Sequence, residues 1–249
     1  MKIIIKFSII LLASLSIHAQ TNSAIITYKK TKKKKTFTVD KKQKLGKEKL
    51  KRFAAIEKET DNISSYLKFS LYYNDNQASF KVNDFMETPN NRYIKLALLP
   101  YGKGEYYNNV KEKIKAVDIF GDFFLIHYPK DYTKWTLLDE TKKIGNYKAY
   151  KAVAIEKIKT KNGFKTNNIT AWYTPAINIQ YGPIGYSGLP GLILELKKNH
   201  IVYYVTNIKL NPKKQVEVKK PTKGKKITYK EFNEMVLKAT KKLKKIRGS

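Results

Sequence analysis

Few side chains in this sequence are equipped for chemistry. Outside the first twenty residues the histidines are His127 and His200. Each falls in or beside a strand-like run, with no second histidine or carboxylate at metal-ligand spacing. The sequence has no cysteine, no His-Glu-x-x-His and no P-loop, so neither a metal nor a cofactor is expected. Gly185-Tyr186-Ser187-Gly188 falls short of a nucleophile elbow, which needs Gly-x-Ser-x-Gly between a strand and a helix. The fifth residue is Leu189 and a strand follows, so Ser187 reads as a loop residue. Ser65 and Lys68 match Ser-x-x-Lys, but no Lys-Thr-Gly follows and the segment reads as a strand. Asp139 and Glu140 would face opposite ways on a strand, which suits no acid–base pair. A hydrolase is the weakest reading, because it needs Ser187 or Ser65 within hydrogen-bond reach of a His or Lys base. What remains is aromatic: Trp172, Tyr173, Tyr181 and Tyr186. They either cap the open end of a sheet or line a concave apolar site for a lipid, glycan or peptide.

The elements that would place these rings are strand, turn and strand. Ile169 to Tyr173 suits a strand that stops at Thr174-Pro175. Gly182-Pro183, Gly185 and Gly188 punctuate the loop. Leu189-Pro190-Gly191-Leu192 has the pattern of a type II turn, Pro190 presetting φ and Gly191 taking the positive φ that follows. Leu192, Leu194 and Leu196 then alternate with Ile193, Glu195 and Lys197, a strand with one buried and one wetter face.

Gly188-Leu189-Pro190-Gly191-Leu192-Ile193 spells the signature of the GLPGLI family of Bacteroidetes envelope proteins. Trp172-Tyr173-Thr174-Pro175 resembles that family's Trp-Tyr-Thr block, and Gly182-Pro183 its Gly-Pro before the signature. Trp135 and the segment Ile144 to Ala152 are similar to its Trp and Gly-Tyr-x-Cys-x-Lys-Ala blocks. Ala149 stands at the Cys position, so any role of that thiol is absent. The resemblance covers roughly residues 20–212. It implies an exported, β-rich protein and no assigned activity.

Composition agrees with export. Lys2 and Lys6 precede an apolar run from Phe7 to Ile17, and Ala19 is small, so residues 1–19 read as a signal peptide cut near Ala19/Gln20. No later apolar run approaches the ~20 residues of a membrane-spanning helix. A soluble protein of the periplasm or cell envelope is expected. The formal net charge is +31 and the hydrophobic content 42%, with 18 Tyr and 11 Phe that favour strands. Nearly all the basic residues are lysines; the arginines are Arg52, Arg92 and Arg247. Specific nucleic-acid readers lean on the arginine fork, so a specific nucleic-acid partner is not expected. An anionic envelope surface remains open, beside the plainer reading that lysine follows genome composition.

Along the chain, Ala24 to Tyr28 reads as a strand. Lys29 to Lys35, six lysines in seven positions, reads as a solvated hairpin tip or ragged edge, with Phe37 to Val39 as a return strand. A short amphipathic helix is expected from Lys47 to Thr60. Strands are expected at Tyr66–Tyr73 and Ala78–Val82, at Tyr93–Leu99, Glu105–Val110, Ile114–Ile119, Phe123–Tyr128 and Lys134–Leu138, and at Tyr147–Ile158 and Ile201–Leu210. Thr160–Asn168 reads as a polar hairpin loop. Residues 213–226 read as a basic linker. Residues 227–249 follow as a basic amphipathic helix with a Thr228/Glu231 capping box and an Ile227/Phe232 staple.

The expected fold is therefore mainly β. A single strongly curved antiparallel sheet or LolA-like half-barrel spans residues 20–212, with one short helix in the N-terminal half and one at the C-terminus. The function expected first is a non-catalytic binding or carrier module for an apolar or anionic ligand. The alternative is an accessory or scaffold subunit of an outer-membrane complex, recruited through its basic C-terminal segment. For either, the candidate ligand residues are Trp172, Tyr173, Tyr181 and Tyr186. The turn formed by Gly182, Pro183, Gly188, Leu189, Pro190 and Gly191 would hold them.

Overall fold

The structure is a computed structural model, which describes residues 21–33, 46–84, 92–99, 103–119, 121–160 and 163–247, with side chains described to residue 239. The expected signal peptide at residues 1–19 with its cut, and the expected return strand Phe37–Val39, lie outside the described residues. Two meanders share one sheet. The first runs through β1 (Ser23–Lys32), β2 (Lys68–Asn74), β3 (Gln77–Val82), β4 (Glu105–Asn108), β5 (Lys113–Ile119) and β6 (Asp122–Tyr128). The second runs through β7 (Thr136–Ile144), β8 (Tyr147–Thr160), β9 (Gly163–Thr174), β10 (Leu192–Lys198) and β11 (Ile201–Leu210). They join where β1 pairs antiparallel with β11, so the strand order is β6-β5-β4-β3-β2-β1-β11-β10-β9-β8-β7. A short strand, β12 (Lys225–Thr228), pairs parallel with β6 and makes the sheet mixed.

This topology forces curvature. From β6 to β7 there are ten strand spacings, about 48 Å on a flat sheet at ~4.8 Å each. The chain covers that gap with residues 129–135, whose extended reach is only about 28 Å. The sheet must curl to bring β6 and β7 together, and it is an open, curved sheet that does not close into a barrel.

The core lies on the inner face of the curl. The period-two alternation sends Ala24, Ile26 and Tyr28 of β1, Phe69 and Leu71 of β2 and Phe80 of β3 inward. In β10 the expected alternation is broken by a bulge between Ile193 and Glu195, so Ile193, expected on the wetter face, is buried in the core with Leu192, Leu194 and Leu196. At its centre Phe69 stacks on Phe80, with ring centroids 5.8 Å apart, and both meet Tyr203 edge-on at 5.2 and 5.8 Å. The buried Tyr28 hydroxyl donates to the Ile193 carbonyl at 2.7 Å, so its polar tip is satisfied.

Among the described residues three α-helices flank the sheet: α1 (Lys47–Tyr66), α2 (Arg92–Leu98) and α3 (Tyr229–Arg247). The segment before β12 crosses the outer face of the first meander, where Val216 is buried and Val218 packs on Tyr107, Ile114 and Leu125. After β12, α3 returns on the inner face and seats Phe232 and Met235 against Val117, Phe124 and Ile126. The C-terminal region thus grips β6 from both faces and along its edge. The capping box forms as expected: the Thr228 N–H donates to Glu231 at 2.8 Å and the Glu231 N–H to the Thr228 hydroxyl at 3.2 Å. Among the described residues no helix is long and apolar enough to cross a membrane.

Several expectations need correction. Tyr93–Leu99 is not a strand but α2, in which Ile94 and Ala97 are buried one turn apart; over seven residues the two periodicities cannot be told apart. Lys29–Lys32 is strand, not a solvated tip. It continues β1: Lys29 lies between β2 and β11, Lys30 to Lys32 run past the end of β2 and pair with β11 alone, and Lys30 is only 5% exposed. The Thr160–Asn168 loop is mostly strand, because β9 begins at Gly163 and its polar residues pair along β8. That ribbon runs past its neighbouring strands and is wet on much of its surface (Phe164 is 74% exposed), so it shows no apolar alternation. Tyr66, expected to open a strand, closes α1, which extends to that residue. Lys225 and Lys226, expected in a linker, open β12.

Candidate functional site

The loop from Pro175 to Gly191 fills the inside of the curl. Ile177, Ile179, Tyr181, Ile184, Tyr186 and Leu189 are all buried in the main core. A loop in that position must satisfy its own backbone groups. The Gly188 N–H donates to the Gln180 carbonyl at 3.0 Å, and Leu192 to the Ile177 carbonyl at 3.1 Å. The turn at Pro190 therefore differs from type II. The Gly191 N–H closes on the Leu189 carbonyl two residues back, at 2.8 Å, and Leu192 bonds elsewhere. Gly191 is obligatory for another reason as well: a Cβ there would lie 2.0 Å from the Thr174 carbonyl oxygen. The loop also reaches across the curl. Tyr181 donates to the Asn76 carbonyl at 2.6 Å, and the Asn108 side-chain amide donates to the Gly185 carbonyl at 3.0 Å. Ile184 is held at φ 49°, a region costly for a β-branched residue.

Tyr186 belongs to a buried polar cluster where the two meanders approach. Its hydroxyl donates to Glu156 at 2.5 Å, and Lys198 donates to the other Glu156 oxygen at 2.6 Å. Burial, the Glu156 charge and the bond to Glu156 push the Tyr186 hydroxyl far above the ordinary tyrosine range. The Lys113 ammonium lies 5.1–5.4 Å from the ring centroids of Tyr128, Tyr132 and Tyr186, and burial lowers its pKa to about 8. The Tyr132 hydroxyl donates to that of Tyr229 at 2.9 Å, which ties the first turn of α3 to this point.

The four aromatic candidates therefore do not share one surface. Tyr173, Tyr181 and Tyr186 are buried in the core. Trp172 takes the opposite face of β9, with the ammonium of Lys142 4.4 Å from its ring centroid. Gly182 is pressed against Ile193, and Pro183, Leu189 and Gly191 are buried in the same loop. Ser187 bridges to Tyr181, and its carbonyl accepts from Trp135 at 2.9 Å. Ser65 donates to the Asn62 carbonyl within α1. Among the described residues no group of three or more His, Cys, Asp or Glu is placed to hold a metal ion.

Open space lies elsewhere. A cleft of about 550 Å³ opens between α1, α2, the end of β1 and the β10–β11 turn. Its walls are mainly apolar: Phe53 and Ile56 of α1, Leu96, Ala97 and Leu99 of α2 and its end, and Ile201. Its polar members include Lys30, Lys32, Glu57, Asp61 and His200. Phe53, Ile56, Glu57, Thr60, Asp61 and Ser64 recur at helical spacing, so one stripe of α1 faces the cleft. No residue of α1 is buried. None of the aromatic candidates lines the cleft; the signal that points to it is Lys30, inward-facing at the next alternation after Ile26 and Tyr28. A second groove, of about 560 Å³ and more polar, lies between the outer face and residues 214–221.

Residues 156–195 match the family model described as "Protein of unknown function (Porph_ging)". That family is associated with Bacteroidetes, in keeping with the resemblance drawn from the sequence. The matched stretch runs from the buried Glu156 through the whole of the inner loop. No curated protein matches the chain. Among solved structures it is similar to PNGF-II in two crystal forms, each at 16% identity and TM-score 0.47, covering 86% of this chain. The chain spans about a third of PNGF-II, 32% and 33% in the two forms. It is also similar to an uncharacterized conserved protein from Thermus thermophilus, at 9% identity and TM-score 0.32, covering 84% of this chain and 91% of that one.

Proposed function

We propose that this chain is an exported, non-catalytic binding or carrier module of the cell envelope, of the GLPGLI type, and that its ligand occupies the cleft beneath α1. One observation carries the reading: a twenty-residue helix with no buried side chain holds Phe53 and Ile56 over an apolar cleft facing Leu96, Leu99 and Ile201. Helices are normally held by a buried apolar stripe, and a bound apolar body would supply that burial. The volume falls in the range of small-molecule sites, roughly 300–1,000 Å³. The serines support no hydrolase, since among the described residues neither is hydrogen-bonded to a His or Lys base. The alternative, an accessory subunit recruited through the basic C-terminal segment, draws less support. That segment is built into the sheet through Val216, β12 and Phe232.

The test is native mass spectrometry of the mature protein purified from its own envelope, beside a Phe53→Ala/Leu96→Ala double variant. A small molecule retained by the wild type and lost by the variant supports the reading. If neither protein retains a ligand, and neither takes up an added hydrophobic fluorophore, the cleft is not a binding site.

A further inference from the structure

We propose that the ligand of this cleft is a single-chain amphiphile with a monoanionic carboxylate head, and that Lys30 receives the head; this rests on the binding reading above. Lys30 reaches the cleft because β1 alternates strictly, placing Ala24, Ile26, Tyr28 and Lys30 on the same inner face. Three of those positions belong to the core. The fourth is a lysine whose ammonium donates to the carbonyl of Ala97, near the C-terminus of α2, and lies 5.8 Å from the centroid of the Phe69 ring. An ammonium has three N–H donors, and the Ala97 carbonyl takes one. Among the described residues no carboxylate pairs with Lys30. A buried charge without a counter-charge is costly, so a ligand that brings one into the cleft gains more from its head than it would at the surface.

The neighbouring charges set the valence. Lys32, two residues on, is engaged by Glu57 at 2.8 Å. Asp61 lies one turn further along the cleft-facing stripe of α1, and His200 and Thr31 complete the polar rim. Lys30 is thus the available cation beside two carboxylates, and a dianionic phosphate would be repelled by Glu57 and Asp61. One negative charge matches one free ammonium. The apolar walls of Phe53, Ile56, Leu96 and Leu99 take the chain. Burial lowers the Lys30 pKa to about 8, so at neutral pH the amine remains mostly charged and able to serve.

The experiment is isothermal titration of the mature chain with dodecanoate, dodecanol and dodecyl phosphate, on wild type and on Lys30→Met and Lys30→Gln. Wild type should bind dodecanoate roughly tenfold or more tighter than dodecanol, the factor a charge-assisted hydrogen bond supplies. Both variants should lose that preference and keep their affinity for dodecanol. In wild type alone, with no variant to fold, the preference should fall as pH rises well above 8, while dodecanoate itself stays ionised. If none of the three probes binds, the cleft reading fails as well. If wild type takes acid and alcohol equally, or both variants keep the preference, the head-group assignment is overturned and the cleft reading stands. Tighter binding of dodecyl phosphate than of dodecanoate overturns the choice of a monoanion.

Discussion

The loop at residues 175–191 and helix α1 are of similar length and lie over different parts of the same sheet, yet they are held in opposite ways. The loop has little regular structure, yet its apolar side chains are packed, with Ile177 and Ile179 almost wholly inaccessible. Helix α1 is regular along its length and has no buried residue. The difference follows from where the backbone hydrogen bonds go. A helix satisfies its amides internally and can stand off from a core. A loop inside a curled sheet must find a partner for each buried amide, which requires special residues at fixed places. The densest sequence punctuation therefore marks a structural plug, and the open cleft lies under a helix with no such punctuation.

The strongest way to break this comparison is Gly191→Ala. The added methyl would sit 2.0 Å from the Thr174 carbonyl oxygen, at a φ of +145°. A loss of roughly 3 kcal/mol or more is expected, read as a lower urea midpoint; an unchanged midpoint would show that the loop is not a plug. Glu156→Ala comes next. It leaves Lys198, whose side chain is 11% exposed, without its counter-charge and removes the acceptor of Tyr186. Breaking one side of a buried pair costs about 3 kcal/mol, and the same denaturation series measures it. Ile179→Ala, fully buried, should cost about 3 kcal/mol if the loop packs as tightly as a core element, and under about 1 kcal/mol if it is a loose cover.

Lys30 sharpens the comparison through pH. Its pKa is lowered by burial from 10.5 to about 8 in the folded protein, whereas the unfolded chain keeps the ordinary value. Between about pH 8 and 10.5 the unfolded state therefore binds more protons, and this group makes stability rise with pH across that window. Lys30→Met should be more stable than wild type at neutral pH, with the gap shrinking as pH climbs through the window. Lys113, lowered by burial to about 8 as well, contributes the same slope to both proteins and cancels in their difference. A gap that does not narrow would place Lys30 in water.

Much of the sheet was legible because its strands alternate: Ala24 to Tyr28 carry a period that has one physical cause, whereas in β10 a bulge buries Ile193 against the alternation read from the sequence. The half-barrel expectation matched an open curved sheet, and the Thr228/Glu231 capping box formed as read. What escaped was set by tertiary context. Seven residues from Arg92 to Leu98 hold too few turns to declare a helix. The start of β9, from Gly163 to Asn168, is strand by pairing with β8 and carries no apolar face to announce it. Lysine is ordinarily solvated, so the inward place of Lys30 follows only from continuing β1 past Tyr28 into a run of charge. The rings of Tyr173, Tyr181 and Tyr186, read as ligand candidates or as caps on an open sheet end, are buried in the core, because composition does not say whether aromatic mass lines a space or fills one.

The smallest expected effect decides most about α1. Phe53 is 40% exposed, so Phe53→Ala removes a side chain that is only partly withdrawn from water. Its cost should stay within about 1 kcal/mol, well below that of the same kind of truncation at Ile179. A helix held by packing behaves otherwise: it loses several kcal/mol when its largest apolar contact is removed. The measurement is a pair of urea titrations, with and without saturating hydrophobic ligand. Without ligand, wild type and Phe53→Ala should nearly coincide. With ligand, wild type should gain stability by mass action in proportion to its affinity, and Phe53→Ala should gain less, because the wall it removes meets the ligand and not the core. If the variant is strongly destabilised with the cleft empty, α1 belongs to the packed part of the molecule, and the contrast with the loop disappears.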